Sequence, residues 1–366
     1  MRILTVSAFF PSHGGGVEIV AGELANALAR RGHESRLTGA AFDIAPQDEA
    51  AIPVPITCTD PVERFAGLPM PLPSRAARQQ LAEEIEAADA LVIHDALYAS
   101  SQLARRHADR LGKPWMLIQH IGAIPYNSAM LRLVLGVANR LVTRPMLERA
   151  PQAVFISDTV RRYFAGANWA SSPHLLFNGV DIALFHPPAT PRKAQPRPQL
   201  LFVGRFVEKK GLAVLREFAA LRPDCDVLLA GGGPIDPAGW QLPNIHVLGR
   251  KSRAELAALY RQSDALLLPS VGEGFPLVVQ EAMASGLPVF CGEETAAADP
   301  DASAFLHGIA IDLRDPGATA LRLSEALDQA QLGIQQEAAS YAARAYDWDR
   351  NAEWIEQRLA ALGLAC

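Results

Sequence analysis

The stretch RILTVSAFFPSHGGGVEIVAGELANALARRG, residues 2–32, contains the opening unit of the fold. Residues 2–7 form an apolar run that predicts a strand, and a glycine-rich loop follows it. Residues 17–30 repeat apolar side chains at the helical period and end at Gly32, which is typical of a helix and its C-terminal stop. Because strand, loop and helix in this order open a βαβ unit, the stretch predicts a parallel α/β sheet.

The rest of the chain repeats this pattern in two sets. Short, continuous apolar runs are typical of parallel strands that are buried on both faces. With helices between several of them, such runs predict two doubly wound, Rossmann-like α/β domains. We predict strands at residues 90–93, 115–119 and 153–157, and again at 200–203, 226–230, 246–248, 265–268 and 288–291.

A proline-rich segment separates the two sets of strands. Residues 186–199 read HPPATPRKAQPRPQ, with five prolines and no bulky apolar residue, which is typical of a stiff surface linker. The pattern therefore predicts two domains, a linker and a final helix that can return to the first domain. In order, these are an N-terminal domain at residues 1–186, the linker at 187–199, a C-terminal domain at 200–345 and the helical segment at 346–366.

The composition argues against several classes of function. The net charge of −5 argues against nucleic acid as the main partner. The four cysteines, Cys58, Cys225, Cys291 and Cys366, show no metal-binding or disulfide spacing. The N-terminal residues lack a signal-peptide core, and the chain has no run of roughly 18 to 20 apolar residues, so we expect a cytoplasmic protein.

The first motif that can carry chemistry is the glycine loop after the first strand. Gly14, Gly15 and Gly16 let the main chain approach a ligand closely, and the following helix offers N–H groups to an anion. The loop does not read GxGxxG and lacks the acidic residue that a dinucleotide needs. A flexible turn without a ligand explains these glycines equally well.

The second motif, GRFVEKKG at residues 204–211, follows the first strand of the second set. Arg205 supplies a planar fork of donors and Lys210 a mobile point charge. Together they suit a diphosphate whose negative charge grows as it leaves. The alternative is a solvated, charged turn, but ligands of doubly wound sheets bind at the carboxyl ends of strands, where this motif lies.

The third motif is PSVGEGFPLVVQEAM at residues 269–283. Pro276 suits the first turn of a helix, so Glu273 precedes that helix and Glu281 lies inside it. Eight helical residues rise about 12 Å, more than the roughly 5 to 9.5 Å between the paired carboxyls of glycosidases. The two acids therefore suit the two ends of one long polar ligand, with the helix N-terminus facing a phosphate.

Taken together, these motifs resemble glycosyltransferase family 4, the retaining enzymes of GT-B fold. The sequence departs from the family pattern at residues 291–295, which read CGEET, and at Pro276, where many members have glycine. The motifs that carry the resemblance are residues 14–18, RGHE at 31–34, NGVD at 178–181 with Phe185, GRFVEKKG at 204–211, AGGGP at 230–234 and EGFPLVVQEAMASGLPV at 273–289.

The resemblance implies two domains that face each other across a cleft and assigns roles to single residues. Arg205 and Lys210 hold the donor diphosphate, Glu281 binds the ribose hydroxyls and Glu273 faces the transferred sugar. His120, at the end of the predicted strand 115–119, lies near the reacting sugar carbon. Independently of the resemblance, His94 and Asp95 end the preceding predicted strand and are candidates to orient the acceptor. Further donor contacts are expected from Gly15, Gly16, Gly204, Phe275, Pro276, Leu277 and Arg250.

The implied activity is retaining transfer of a sugar from a UDP- or GDP-sugar to a hydroxyl of a glycan, a lipid-linked or a small-molecule acceptor. In this family the leaving phosphate is usually drawn as the base that takes the acceptor proton. We expect neither a metal ion nor a cofactor, the nucleotide sugar being a co-substrate. Two alternatives remain open: a nucleotide-sugar epimerase of the same architecture, and a silent subunit that binds nucleotide sugars.

Residues 130–149 are a candidate for contact with a membrane surface. Arg132, Asn139, Arg140, Thr143 and Arg144 fall on one side of a helix drawn at the ordinary period, with apolar residues opposite. Such a helix can lie on anionic lipid, which would suit a lipid-linked acceptor. The alternative is an ordinary helix packed on the core.

Overall fold

The computed structural model describes residues 1–66, 68–122, 128–190 and 195–363. The chain divides into two compact units: Met1–Gly179 with Trp348–Cys366, and Val180–Asp347. Each unit contains a parallel sheet with helical connections, which confirms the predicted α/β class. Part of the predicted linker, residues 191–194, lies outside the described residues.

The sheet of the first unit has seven strands within the described residues, all parallel. The strands of this unit are β1 (Arg2–Val6), β2 (Glu34–Ala40), β3 (Ile52–Ile56), β4 (Cys58–Thr59), β5 (Leu72–Pro73), β6 (Ala90–His94), β7 (Trp115–Gln119), β8 (Gln152–Phe155) and β9 (His174–Leu175). Their order is β3-β2-β1-β6-β7-β8-β9, and β4 and β5 form a separate antiparallel pair. The chain order therefore reverses between β1 and β6.

The sheet of the second unit is also parallel. Its strands are β10 (Gln199–Arg205), β11 (Asp226–Gly232), β12 (Ile245–Gly249), β13 (Ala265–Leu268), β14 (Val289–Gly292) and β15 (Leu306–Ile309). Their order is β12-β11-β10-β13-β14-β15, so the chain order reverses between β10 and β13. Every residue of β6, β7 and β13 is buried, as expected for strands that are covered on both faces.

The helices connect these strands. They are α1 (Gly16–Arg30), α2 (Pro61–Ala66), α3 (Arg75–Ala87), α4 (Ala99–Leu111), α5 (Ala129–Ala138), α6 (Arg144–Arg149), α7 (Asp158–Tyr163), α8 (Leu212–Leu221), α9 (Arg253–Gln262), α10 (Leu277–Ala284), α11 (Glu293–Ala296), α12 (Pro316–Gln329), α13 (Gln336–Ala345) and α14 (Trp348–Gly363). No helix of the described residues combines the length and the apolar character needed to cross a bilayer.

The last helix belongs to the first unit. Asn351 Nδ2 donates to the carbonyl of Phe177 at 2.8 Å, and Arg358 Nε donates to Gln152 Oε1 at 2.6 Å. Arg31, at the end of α1, pairs with Glu356 at 2.8 Å. The chain therefore leaves the first unit after residue 179 and returns to it at residue 348.

Three strands of the first sheet have no counterpart among the predicted ones: β2, β3 and the two-residue β9. β2 reads ESRLTGA and mixes charged with small residues, so it gives no continuous apolar run. β3 reads IPVPI and contains Pro53 and Pro55, which lack an N–H for the ladder. As the outermost strand, β3 is hydrogen-bonded on one side alone, which is where prolines are tolerated.

The two central strands of the second unit approach closely at a glycine pair. Gly231 lies opposite Gly204 in the parallel register of β10 and β11 and has a φ of +149°. A Cβ atom on Gly231 would lie 1.8 Å from the carbonyl oxygen of Gly204, which is main chain and cannot rotate away. The position therefore requires glycine.

We expect Gly231→Ala to lower the free energy of unfolding by about 1–3 kcal/mol, the usual effect of overpacking. Thermal unfolding followed by circular dichroism measures the change. Gly136→Ala is the matched control, because its Cβ would meet nothing within 4 Å on α5. A Gly231→Ala protein as stable as the control would contradict this account of the strand pair.

Candidate functional site

The candidate site of the second unit lies where the strand order of its sheet reverses. Residues 206–211 follow β10 and residues 269–276 follow β13, so both loops leave the carboxyl ends of the strands that flank the reversal. At such a point successive connections move away in opposite directions and leave a crevice that ligands occupy. The two charged motifs of the second domain therefore lie side by side.

A close main-chain contact joins the two loops. The N–H of Val271 donates to the carbonyl of Lys209 at 3.0 Å. Gly211 has a φ of +74°, and a Cβ there would lie 2.1 Å from the carbonyl oxygen of Pro269. Glycine at this position thus lets the loop after β10 turn into α8 against the loop after β13.

Lys210 and Glu273 form an ion pair across these loops. Lys210 Nζ lies 2.9 Å from Glu273 Oε1, and the two side chains are 13% and 14% exposed. Lys209 is 53% exposed and its Nζ is 3.9 Å from the same oxygen. Because shielding from water strengthens charge interactions, Glu273 holds the ammonium group of Lys210 far better than that of the exposed Lys209.

Two arginines lie at the same edge of the sheet. Arg205 is the last residue of β10 and is paired in register with Gly232, and its side chain is exposed. Arg250 follows β12, and its Nε lies 3.4 Å from where a Cβ of Gly232 would be. With Lys210, they make the carboxyl edge of this sheet suitable for an anion such as a diphosphate.

Glu281 has a partner that the sequence analysis missed. The hydroxyl of Tyr260, in α9, donates to Glu281 Oε2 at 3.0 Å. Burial, followed by the negative charge of Glu281, raises the pKa of Tyr260 well above its usual value, so the hydroxyl stays protonated. The tyrosine thereby orients one carboxylate oxygen. Tyr260 is distant from Glu281 along the chain, and no motif contains both.

The start of α10 differs from the prediction. α10 begins at Leu277, and Pro276 is the residue before it, with an extended ψ of 136° in place of a helical one. Phe275 was predicted as a donor contact, but its side chain is buried and packs edge-on against Tyr346, with ring centroids 5.7 Å apart. The Phe275 ring thus serves the core, while Pro276 and Leu277 lie at the N-terminus of α10.

In the first unit, the glycine loop leads directly into α1. Gly15 is the N-cap and Gly16 the first residue of the helix. The carboxylate of Glu18 folds back toward this loop: a Cβ on Gly15 would lie 2.1 Å from Glu18 Oε2. Burial raises the pKa of Glu18, and its carboxylate accepts from its own main-chain N–H. A phosphate at this helix start would have to displace that carboxylate.

His120 lies directly after β7, as predicted, and is buried against His94 at the end of β6. His94 Nδ1 and His120 Nε2 are 2.9 Å apart, so one ring donates a hydrogen bond to the other. Burial lowers the pKa of His94 to about 3 and lowers that of His120 well below its usual value, with a smaller effect from His94. Both rings are therefore uncharged at neutral pH.

Asp95 follows His94 and holds the chain that leaves β7. Its Oδ1 accepts from Gln119 Nε2 at 2.6 Å, from the N–H of His120 at 3.1 Å and from the N–H of Ile121 at 3.3 Å. Its Oδ2 is buried and has no hydrogen-bond partner among the described residues. Burial raises the pKa of Asp95 to about 7, despite the main-chain donors that lower it.

Helix α5 exposes an apolar face, and none of its residues is buried. This arrangement contradicts a core-packed helix for α5, whereas Met146 and Leu147 of α6 are buried in the core. The apolar face of α5 consists of side chains that are 47–69% exposed, namely Met130, Leu133, Val134, Val137 and Leu141 just beyond the helix.

The polar side of this segment differs from the prediction. Asn139 and Thr143 were expected beside the arginines, but both are buried. Asn139 Nδ2 donates to the carbonyl of Gly122 at 3.1 Å, and Thr143 donates to Asn139 at 3.0 Å. Residues Asn139–Thr143 form a π-helical turn, whose wider period rotates these side chains inward.

No cluster of three or more His, Cys, Asp or Glu side chains that could hold a metal ion occurs in the part of the chain that the structure describes. The candidate residues near the reversal of the second sheet are cations and carboxylates that do not lie together in a group. The chemistry that this arrangement offers is charge neutralisation of an anion, combined with hydrogen bonds to hydroxyl groups.

Comparison with known proteins gives matches over both halves of the chain. A family model described as Glycosyltransferase Family 4 matches residues 14–184, and one described as Glycosyl transferases group 1 matches residues 197–329. A phosphatidyl-myo-inositol mannosyltransferase of Mycolicibacterium smegmatis is 29% identical, covering 95% of this chain and 90% of that protein.

Two further similar proteins are informative. A GDP-mannose-dependent alpha-mannosyltransferase of Mycolicibacterium smegmatis is 36% identical, covering 42% of this chain and 44% of that protein. The solved structure of Anabaena HepE in complex with UDP-glucose has a TM-score of 0.69 at 17% identity, covering 99% of this chain and 100% of that one. The latter likeness shows a shared fold.

The raised pKa of Asp95 predicts a pH-dependent effect of Asp95→Asn. In the folded protein this carboxyl ionises near pH 7 instead of near 4, so its ionisation destabilises the fold as pH rises toward 7. Asparagine keeps an oxygen acceptor and does not ionise. We expect the melting temperature of the variant, relative to the wild type, to increase between pH 5 and pH 8.

Asp224→Asn is the control for this measurement. Arg222 lowers the pKa of Asp224 to about 2, so both its folded and unfolded forms are ionised throughout that range. Its difference from the wild type should stay constant. A constant difference for Asp95→Asn as well would show that burial does not perturb Asp95.

Proposed function

Because this chain belongs to glycosyltransferase family 4 and is a glycosyltransferase of GT-B type, we propose that it transfers a sugar from a nucleoside diphosphate to an acceptor hydroxyl with retention of configuration. The observation that carries the proposal is the cationic edge of the second sheet, where Lys210 is fixed by Glu273 beside Arg205. A diphosphate leaving group has the charge and the size that such an edge binds.

In this proposal the side-chain cations stabilise the departing pyrophosphate. Arg205 offers parallel N–H donors and Lys210 a compact charge, both present before the reaction begins. The leaving phosphate oxygen takes the proton of the acceptor hydroxyl as that hydroxyl attacks the anomeric carbon from the same face. The donor bond breaks and the new glycosidic bond forms on one face, so the configuration is retained.

Two carboxylates hold the rest of the donor in this proposal. Glu281, oriented by Tyr260, accepts hydrogen bonds from the ribose hydroxyls. Glu273 contacts the transferred sugar with the oxygen that does not pair with Lys210. Since one Glu273 oxygen already neutralises Lys210, the residue links the position of the sugar to the position of the phosphate-binding cation.

The donor base and the acceptor are proposed as classes. One relative is named for GDP-mannose, and one solved structure contains UDP-glucose, so both UDP- and GDP-sugars are candidates. A relative that matches most of the chain acts on phosphatidyl-myo-inositol, which favours a lipid-linked polyol among acceptors. Glycans and small molecules with free hydroxyls complete the panel to be assayed.

A lipid-linked acceptor also fits the apolar face of α5. Five large apolar side chains stand exposed on one short segment, and the exposed residues Arg132 and Arg140 lie on the same segment. An apolar face flanked by arginines is the pattern of a helix that lies in the interface of an anionic membrane. We therefore propose peripheral membrane contact through residues 130–149.

Lys210→Ala should lower kcat with the best donor by about 10²–10³-fold, the usual effect of removing one preorganised donor of charge stabilisation. Arg205→Ala should act similarly. The measurement is release of UDP or GDP in the presence of acceptor, together with donor affinity by calorimetry.

Lys209→Ala is the control, because this neighbouring ammonium group is exposed and lies 3.9 Å from Glu273. It should leave kcat nearly unchanged. Equal effects of the Lys209 and Lys210 substitutions would contradict the role assigned to Lys210, and absence of any nucleotide-sugar binding would overturn the proposed function.

The triple variant Leu133→Ser, Val137→Ser and Leu141→Ser should lose binding to vesicles of phosphatidylglycerol and phosphatidylcholine at low salt. The reason is loss of the apolar area that would enter the interface. Co-sedimentation measures the bound fraction. Leu321→Ser, which removes a side chain that is 52% exposed on α12, is the control. Wild-type protein that stays in the supernatant would contradict membrane contact.

A further inference from the structure

His120 is the first residue after β7. The family resemblance assigns His120 a place near the reacting sugar carbon, and a residue with that role has to be held to a fraction of an ångström. Two buried side chains at the end of the neighbouring strand β6, Asp95 and His94, contact it from different sides. One contacts its main chain and the other its ring.

Asp95 has an unusual main-chain conformation. Its φ is +53°, in the left-handed region that residues other than glycine rarely adopt. Asp48 and Gln241 also have positive φ within the described residues, but both are exposed, whereas Asp95 is 2% exposed. Strained and buried polar residues persist where the surrounding structure enforces them, and they concentrate at functional sites.

The contacts of Asp95 suggest what this conformation achieves. A single oxygen, Oδ1, accepts from three consecutive residues, the side chain of Gln119 and the main-chain N–H groups of His120 and Ile121. The main chain directly after β7 is thus hydrogen-bonded to the residue directly after β6. The second oxygen, Oδ2, is buried and has no hydrogen-bond partner among the described residues. Burying a carboxyl group in this way costs free energy, which argues against a residue that only fills space in the core.

His94 fixes the ring of His120. The contact of 2.9 Å joins His94 Nδ1 to His120 Nε2, and the two rings meet edge to edge, with an interplanar angle of 27° and centroids 5.1 Å apart. This contact uses Nε2 of His120 and so determines which way the ring points. The main chain of His94 is itself held, because Ser101 Oγ donates to its carbonyl at 3.2 Å.

We propose that Asp95 and His94 are positioning residues for sugar transfer: Asp95 fixes the main chain of His120, and His94 fixes its ring. The inference rests on the proposed function, since it assigns the two residues to the same reaction. It adds that the orientation of His120 is imposed from β6 rather than by its own strand.

Asp95→Gly tests the role of Asp95. Glycine adopts the left-handed conformation without strain, so the variant should fold, but its melting temperature should be lower because the N–H groups of His120 and Ile121 lose their acceptor. We expect kcat to fall about 10- to 100-fold, as for other small misplacements of a reacting group. The KM for the donor should change little, because Lys210 and Glu281 of the second unit are untouched.

Asp95→Asn is the matched variant, because its amide oxygen can accept from the same N–H groups and asparagine tolerates the left-handed region. It should retain most of the activity. Full activity of Asp95→Gly would overturn the role of Asp95, and so would equal losses in the glycine and asparagine variants.

The role of His94 is tested by a second pair of substitutions. His94→Leu removes the hydrogen bond to His120, and His94→Asn can supply an amide group in place of Nδ1. We expect the leucine variant to lose activity and the asparagine variant to recover it. Equal activity of the two would overturn this part of the proposal, and this test of the ring does not depend on whether Asp95→Gly folds.

A measurement that does not depend on catalysis separates this inference from the proposed function. In the wild type, proton NMR should show a slowly exchanging ring N–H shared between His94 and His120, and His94→Leu should abolish it. A wild type without this signal would overturn the positioning pair even in an active enzyme. A wild type with this signal but no turnover of any nucleotide sugar would instead contradict the proposed function.

Discussion

The whole arrangement depends on the reversal of chain order at the centre of each parallel sheet. From β10 the chain winds outward to β11 and β12 on one side and returns through β13 to the other. Connections that depart in opposite directions leave the ends of the two central strands uncovered, and a polar ligand can bind there without displacing the core. The first sheet has the same reversal between β1 and β6. The glycine loop follows β1, and the His94–Asp95 pair lies at the carboxyl end of β6.

The strands that the sequence predicts well are those that this topology buries on both faces. Residues 115–119 and 265–268 are predicted without error, because β7 and β13 are continuous apolar runs. β2 and β3 lie toward the outer side of the first sheet, where polar and proline residues are tolerated, so they lack that signal. Residues 204–211 and 269–283 are recognised by their charged and glycine residues, and the structure brings both segments to one place.

Contacts between elements that are distant in sequence could not be predicted from the same patterns. The bonds from Tyr260 to Glu281 and between His94 and His120 depend on which strands and helices become neighbours. The buried positions of Asn139 and Thr143 were predicted wrongly for a local reason. A helical wheel assumes 3.6 residues per turn, and the π-helical turn at Asn139–Thr143 breaks that period at these two residues.

The return of α14 to the first unit has a consequence for biosynthesis. Residues 180–347 form a unit whose two ends meet, since the N–H of Val180 donates to the carbonyl of Tyr346 at 2.6 Å. On the ribosome this inserted unit can emerge and fold as a whole while the first unit still lacks its last helix. The half that is translated first is therefore the half that is completed last, because it lacks its final helix until residues 348–363 leave the exit tunnel.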